Sequence, residues 1–416
     1  MNIEIQPHKL IGTVKIPSSK SMAHRMLICA ALSKGISEIS EIDSSKDIEA
    51  TISVMQALGA VFEFREAEHK IIVTGIQDIP GQAHADCNES GSTLRFLIPV
   101  AAALGVETTF TGQGRLPERP ITPYIRELTK KNIRFQNQKI PFTIQGKLQP
   151  GRFELEGDIS SQFITGLLLA LPLLRERSEI ILTSPLQSKP YADMTIQCMQ
   201  QFGVSIKEKN GNYYISGTQQ YHAQNLSVEG DFSQAAFFYV ANAIGNQVIL
   251  QNIPETSTQG DRRIVEIIEK TCYHQKTAED ISETVSEINA RDIPDLVPIL
   301  AVLATFSERP TRIIGAERLR IKESDRLATT ASMLNTLGGN VKILPDGLEI
   351  QPVDSLHGGT VDSAGDHRIA MCAAIAATRA TEPVTILGAE CVAKSYPAFF
   401  QDYQKLGGKI HGIHLE

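Results

Sequence analysis

Opposite charges crowd into the stretch RLRIKESDRL, where Lys322, Glu323, Asp325 and Arg326 stand within five residues, and a further carboxylate, Asp295, sits upstream in DIPDLVP. If a helix starts here, Lys322 and Arg326 lie four apart on one face, where like charges repel unless an anion lies between them. Glu323 then projects about 100° away, close enough for those cations to shift its acidity. Two carboxylates among Lys and Arg suit acid–base chemistry on a polyanion: the cations bind its charges and the carboxylates move its protons. The plainer reading is a salt-bridged surface helix.

Cations and hydroxyls of the same kind recur along the chain. Lys20, Ser21 and Arg25 stand in PSSKSMAHR, Ser90, Gly91, Ser92 and Arg95 in NESGSTLRF, Ser160, Ser161 and Gln162 in GDISSQF, and His367 and Arg368 in GDHRIAM. Arg119 precedes Pro120 in RLPERPI, a junction that holds the chain extended and fixes where the guanidinium points. SKPYADM offers Ser188, Lys189 and Tyr191 ahead of one helix, and VAKSYP offers Lys394 ahead of another. Singly, each reads as a cap or a solvated surface residue. Their weight comes from standing at equivalent places in a repeat.

That repeat is a polar loop opening an apolar helix, and it occurs six times, starting at residues 17, 88, 157, 230, 292 and 365. Each copy is followed by a β-branched run (ISEISEI, VETTFTG, SEIILTS, NQVILQNI, TRIIGA, PVTILG), then by an amphipathic helix such as DIEATISVMQALGA, and then by short strands such as HKIIVTG or DGLEIQP. Several of the amphipathic helices close on Gly, as a left-handed C-cap requires. A helix apolar on all sides must be buried. The expected fold is therefore α/β, or α+β repeats, in two domains of three βαβαββ-type units, with buried helices and outer sheets, an inverse α/β barrel. Three units per group put the break near NLSVEGDFSQ, giving residues 16–228 as one domain and 1–15 plus 229–416 as the other. The opening strands complete the last sheet on this count. Each loop before an apolar helix turns free N–H groups and the positive end of a helix dipole outward, which favours anions. Cations on both halves predict an active-site cleft between the domains that closes when a ligand neutralises them.

The composition excludes several classes. With 416 residues, 42% hydrophobic and 21% charged, the chain can bury large cores. A net charge of −7, no Trp and 6% aromatics argue against a nucleic-acid partner. Cysteines at 29, 87, 198, 272, 372 and 391 form no CxxC pair, which suggests reduced thiols in a cytoplasm rather than a disulfide framework or zinc site. No HExxH, Asp-rich loop or GxxxxGK[ST] is present, so neither metal nor cofactor is expected. No apolar run approaches the roughly 18 residues of a membrane span, and the N-terminus has no export signal, so no membrane partner is expected.

Nine segments taken together (PSSKSMAHR, GSTLRF, GRLPERPI, SSQFITGLL, SKPY, DIPDLVP, RIKESDRL, DHRIAM and KSYP) resemble the enolpyruvyl transferase family over nearly the whole chain. The resemblance implies transfer of the enolpyruvyl group of phosphoenolpyruvate to the 5-hydroxyl of shikimate 3-phosphate, releasing phosphate through a tetrahedral intermediate. It also implies these two small molecules as partners and a cytoplasmic, monomeric enzyme. By the same resemblance Lys20, Ser21, Arg25, Ser160, Ser161, Gln162, Ser188, Asp295 and Lys322 touch shikimate 3-phosphate, while Lys20, Gly91, Arg119, Gln162, Arg326, Arg368 and Lys394 line the phosphoenolpyruvate pocket. Asp295 matches the base toward the attacking hydroxyl; Glu323 and Lys20 are rival proton donors at the methylene carbon. Glu89 and Arg318 depart from the asparagines usual there and carry no assigned contact. Gly91 matches a glycine that leaves room for the inhibitor glyphosate, so sensitivity is expected.

Two other readings stay open. A sister activity acts on UDP-N-acetylglucosamine, but typically carries a reactive cysteine near GQGRLPERPI, where this chain has none. An RNA-end-processing protein of similar repeats would show a basic stripe with exposed aromatics.

Overall fold

The computed structural model describes residues 1–273 and 285–412. The six apolar segments form the helices Lys20–Leu32, Gly91–Leu104, Ser161–Ala170, Phe232–Ala243, Val297–Thr305 and His367–Ala377. Polar residues just before them fix where five of them start. Ser19, Ser90, Ser160, Asp231 and Asp366 each accept a hydrogen bond from a first-turn backbone N–H. Val297–Thr305 has no such side-chain cap. It buries Val297, Ile299, Leu300, Val302 and Leu303 instead. At about 1.5–3 kcal/mol per buried aliphatic side chain, this outweighs a missing cap worth about 1 kcal/mol.

Each β-branched run becomes a strand, and among the described residues five of the six sheets are four-stranded with one pattern. In the second repeat Gln82–Asp86 pairs parallel with Glu107–Thr111, the apolar helix Gly91–Leu104 forming the crossover. Phe142–Gln145 then adds antiparallel to Glu107–Thr111, and Arg134–Phe135 adds antiparallel to Phe142–Gln145. In the last repeat, Gly359–Asp362 pairs parallel with Val384–Leu387, and the third strand is Asn2–Gln6 from the N-terminus, flanked by Lys409–His411. Of the opening strands, Asn2–Gln6 thus completes the last sheet, as strand counting anticipates, whereas Ile11–Lys15 belongs to a different sheet. The fourth repeat differs: among the described residues, Gln247–Gln251 pairs with Ile11–Lys15 in a two-stranded sheet. The strands anticipated right after its helix Arg263–Tyr273 fall at residues outside those described.

The chain folds into two compact units, Ser18–Glu229 and Met1–Pro17 with Gly230–Glu416. Each has its own apolar core built round three of the apolar helices. The amphipathic helices, such as Lys46–Ala57, bury one face, here Ile48, Ile52 and Met55. Cys29, Cys87, Cys198, Cys372 and Cys391 are free and buried, and the side chain of Cys272 lies outside the described residues. Among the described residues, no helix is long and apolar enough to cross a membrane, and no group of His, Cys, Asp and Glu could hold a metal ion.

Candidate active site

In the unit Ser18–Glu229, the anion-binding residues expected from sequence gather at the N-termini of the apolar helices. Lys20 opens the first of these helices, and its Nζ lies 2.9 Å from Oδ2 of Asp47. Arg25, one turn on, is buried; its Nε donates to Thr195 Oγ1 at 2.8 Å and its Nη2 to the carbonyl of Tyr191 at 2.9 Å, with its guanidinium 5.2 Å from the Phe96 ring centroid. Burial pushes the guanidinium down to about 10, so it keeps its charge at neutral pH.

Gly91, Arg119 and Gln162 are brought into direct contact. A Cβ on Gly91 would fall 2.5 Å from Arg119 Nη1 and 3.6 Å from Gln162 Oε1. Gln162 is fixed from both ends of its amide, accepting from Arg95 Nη1 at 2.7 Å and donating to Ser92 Oγ at 3.0 Å. Arg119 has extended backbone (φ −73°, ψ 133°), as a residue before proline should. Ser160 caps the helix that carries Ser161 and Gln162. Ser188 is buried in a left-handed conformation (φ 58°) at the start of Lys189–Gln201. Lys189 and Tyr191 are inside that helix's first turn, not ahead of it as the sequence suggests.

The other unit holds the carboxylates. Here the sequence expectation needs correction: no helix carries Lys322 and Arg326 together. Glu317–Ile321 is a 3₁₀ turn, Lys322 is extended, and the helix Arg326–Thr336 begins only after Asp325, whose side chain caps it by accepting from Ala328 N. The two cations still converge, because Asp295 lies between them. Asp295 Oδ1 is 2.9 Å from Arg326 Nη1 and 3.8 Å from Lys322 Nζ, and its Oδ2 is 3.2 Å from Arg368 Nη2. Arg326 also donates from Nη2 to Glu323 at 2.7 Å and from Nε to Asp366 at 2.8 Å. Arg368 reaches the Asp295 carbonyl at 3.0 Å and Ser233 Oγ at 2.7 Å. Lys394 ends a 3₁₀ turn and donates to the Gly365 carbonyl at 2.8 Å.

The electrostatics follow from these contacts. Burial alone would raise the pKa of Asp295, but the charges of Arg368, Lys322 and Arg326 hold its carboxyl well below the usual carboxylate range. Burial pushes the Lys322 ammonium down to about 8, with Arg326 adding to the effect and Asp295 opposing it. For Arg326, Asp366, Glu323 and Asp295 more than offset burial and keep it charged. Sequence reasoning did not single out Asp47, Asp366, Ser233 or Asp261. Asp366 had a local signal, the Gly-Asp before an apolar run that marks an N-cap. Its pairing with Arg326 is tertiary and had none.

A family model described as EPSP synthase (3-phosphoshikimate 1-carboxyvinyltransferase) matches residues 5–403. The chain is 44% identical to the 3-phosphoshikimate 1-carboxyvinyltransferase of Clostridium perfringens over 98% of this chain and 99% of that one. It is 45% identical to the protein of that name from Clostridium kluyveri over 98% of both chains. Its fold is similar to that of a solved EPSP synthase from Acinetobacter baumannii, with a TM-score of 0.80 at 24% identity over 99% of this chain and 100% of the other.

Proposed function

The chain belongs to the EPSP synthase family of 3-phosphoshikimate 1-carboxyvinyltransferases, and from that premise we propose which of its residues perform the transfer. The activity is movement of the enolpyruvyl group of phosphoenolpyruvate to the 5-hydroxyl of shikimate 3-phosphate, with release of phosphate. The UDP-N-acetylglucosamine alternative is not favoured, since the curated relatives carry the 3-phosphoshikimate name.

In this reading Lys20, Ser21, Arg25, Ser160, Ser161, Gln162, Ser188 and Lys322 hold shikimate 3-phosphate, and Lys20, Gly91, Arg119, Gln162, Arg326, Arg368 and Lys394 hold phosphoenolpyruvate. Asp295 takes the proton of the 5-hydroxyl as its oxygen bonds to C2 of phosphoenolpyruvate. Glu323 or Lys20 supplies a proton to the methylene, giving a methyl group in the tetrahedral intermediate. Removal of a methyl proton then expels phosphate and restores the vinyl group.

The observation that carries the assignment is the contact of Asp295 with three cations at once. A carboxylate so paired is ionised but weakly basic. Substrate anions that engage Arg326, Arg368 and Lys322 compete with Asp295 for the same charges, and the loss of those partners raises its basicity when the hydroxyl arrives. Binding of the anions thus switches on the base. The reading extends to a monomer working in the cytoplasm and inhibited by glyphosate. Phosphate release from phosphoenolpyruvate with shikimate 3-phosphate, and none with UDP-N-acetylglucosamine, is expected; it should be lost in Asp295→Ala and Glu323→Ala. Release in both variants at the parent rate would reject the assigned carboxylates.

A further inference from the structure

Behind the carboxylate cluster lies an acidic side chain that the proposed reaction leaves unused. Asp261 sits in the 3₁₀ turn Gly260–Arg262, is 4% exposed, and its Oδ1 is buried with no hydrogen-bond partner. The turn is clamped to the start of the helix Phe232–Ala243 by Gln259, whose side chain donates to the Gly230 carbonyl at 2.8 Å and accepts from Phe232 N at 3.0 Å. This clamp sets the Asp261 carboxyl beside the Ser233 hydroxyl, which favours its charged form. Ser233 Oγ in turn accepts from Arg368 Nη2 at 2.7 Å, and the same Nη2 lies 3.2 Å from Asp295 Oδ2.

An oxygen that accepts from Arg368 has its own proton left to give, and a carboxylate is the stronger of the acceptors at hand. We propose that Asp261 is a positioning residue for the transfer reaction: by taking the Ser233 proton it fixes the Ser233 lone pair toward Arg368, and so aims the guanidinium at both Asp295 and the anionic substrate.

A buried carboxyl with an unpaired oxygen is costly, by about 1–3 kcal/mol for a lost hydrogen bond, so a purely structural role would be served as well by an apolar residue. The groups facing Asp261 are Asp295 and Asp231, which disfavour its charge, and Arg368 and Ser233, which favour it. With burial the largest influence, the balance pushes Asp261 up to about 7. Protonation near neutrality therefore removes the acceptor proposed for the Ser233 proton. The aim of Arg368 then loosens as pH falls through that region.

The inference rests on the assignment of Asp295 and Arg368 under the proposed function. The test is steady-state kinetics of the full-length chain carrying Asp261→Asn, Asp261→Ala, Ser233→Ala and Asp261→Ala with Ser233→Ala, rates being scaled to the active fraction. In Asp261→Ala the KM for phosphoenolpyruvate is expected to rise about 10-fold, the equivalent of about 1.4 kcal/mol, and kcat to fall, with the KM for shikimate 3-phosphate within twofold. Asn keeps an acceptor but not the ionisation. Asp261→Asn is therefore expected to recover part of the loss and to lack the acidic limb near pH 7. The double variant should be no worse than the poorer single one, because both break one chain. Multiplying losses in the double variant, or parental kinetics and pH profile in Asp261→Asn, would overturn the proposal. Asp295→Asn run alongside separates the two readings. If it is inactive while Asp261→Asn behaves as the parent, only this inference fails; if it is fully active, the underlying assignment fails.

Discussion

Arg326 donates from Nη1 to Oδ1 of Asp295 over 2.9 Å, and does so from a side chain only 2% exposed. A buried guanidinium needs its whole fork satisfied, and here Asp295, Glu323 and Asp366 do so, Asp366 being fully buried itself. Lysine has one compact ammonium and cannot reach three carboxylates from one position. In Arg326→Lys the buried Asp366 loses its charged partner and keeps, among the described residues, only the neutral donors Ser324 Oγ and Arg368 N, so stability should fall by about 3–5 kcal/mol as for other broken buried pairs. Urea unfolding with an unchanged slope and a lower midpoint would show it. An unaltered midpoint would mean that the cluster adds nothing to folding.

Gly91 owes its place to Arg119. The added methyl of Gly91→Ala would stand 2.5 Å from Nη1, a distance no real Cβ keeps, and the cheapest relief is to swing the end of the arginine away. Losing one charge-assisted contact to a substrate anion costs about 1.5–3 kcal/mol, or about 10- to 100-fold in the KM for phosphoenolpyruvate. Glyphosate inhibition should weaken alongside. The backbone is not the source of this loss, since Gly91 is the first residue of a helix and alanine favours helix. Thermal unfolding should accordingly stay level or rise. A variant with parental kinetics would remove Arg119 from the substrate pocket.

Lys322 gives a pH prediction whose sign is fixed by the direction of its shift. Burial brings its ammonium down to about 8, below the ordinary lysine value of about 10.4. Between those values the unfolded chain binds the proton and the folded chain does not, so stability rises with pH through that window, and the cost of burying the charged ammonium is fully present below about 8. Activity should run the opposite way. As pH rises through about 8 the amine loses the charge assigned to shikimate 3-phosphate, and kcat/KM for that substrate should decline. Arginine stays charged, so Lys322→Arg should retain a lower but flat profile over the same range. A variant profile that still bends near pH 8 would place the titration elsewhere.

The sequence carries the six apolar helices plainly, because a buried helix needs no alternation and, in all but Val297–Thr305, its capping serine or aspartate stands next to it. The strand following each helix was equally legible from β-branched runs such as Ser178–Leu182 and Val384–Leu387. What misled was the spacing of Lys322 and Arg326. Four residues fit one helix face, yet Asp325 is an N-cap, and a capping aspartate before Arg-Leu-Ala sets the start of the helix after Lys322. The cations meet through Asp295, some distance away in sequence. The contacts of Gly91 with Arg119 and of Arg326 with Asp366 are likewise tertiary. No local pattern encodes them, since each depends on which helix N-termini the fold sets side by side.

Asp295 separates catalysis from binding most directly. Asparagine has its shape without its charge, and general-base removal costs about 10²–10⁴ in kcat. In Asp295→Asn, however, Arg326, Arg368 and Lys322 lose a competing anion. They should then hold phosphoenolpyruvate at least as tightly as in the parent, measured by calorimetry with shikimate 3-phosphate present. A scaffolding role predicts the reverse: the cations would repel one another, the pocket would spread, and affinity would drop together with kcat. Slow turnover with retained or tighter binding therefore marks Asp295 as the group that moves the proton. Joint loss of both marks it as the counter-ion that holds the arginines in place.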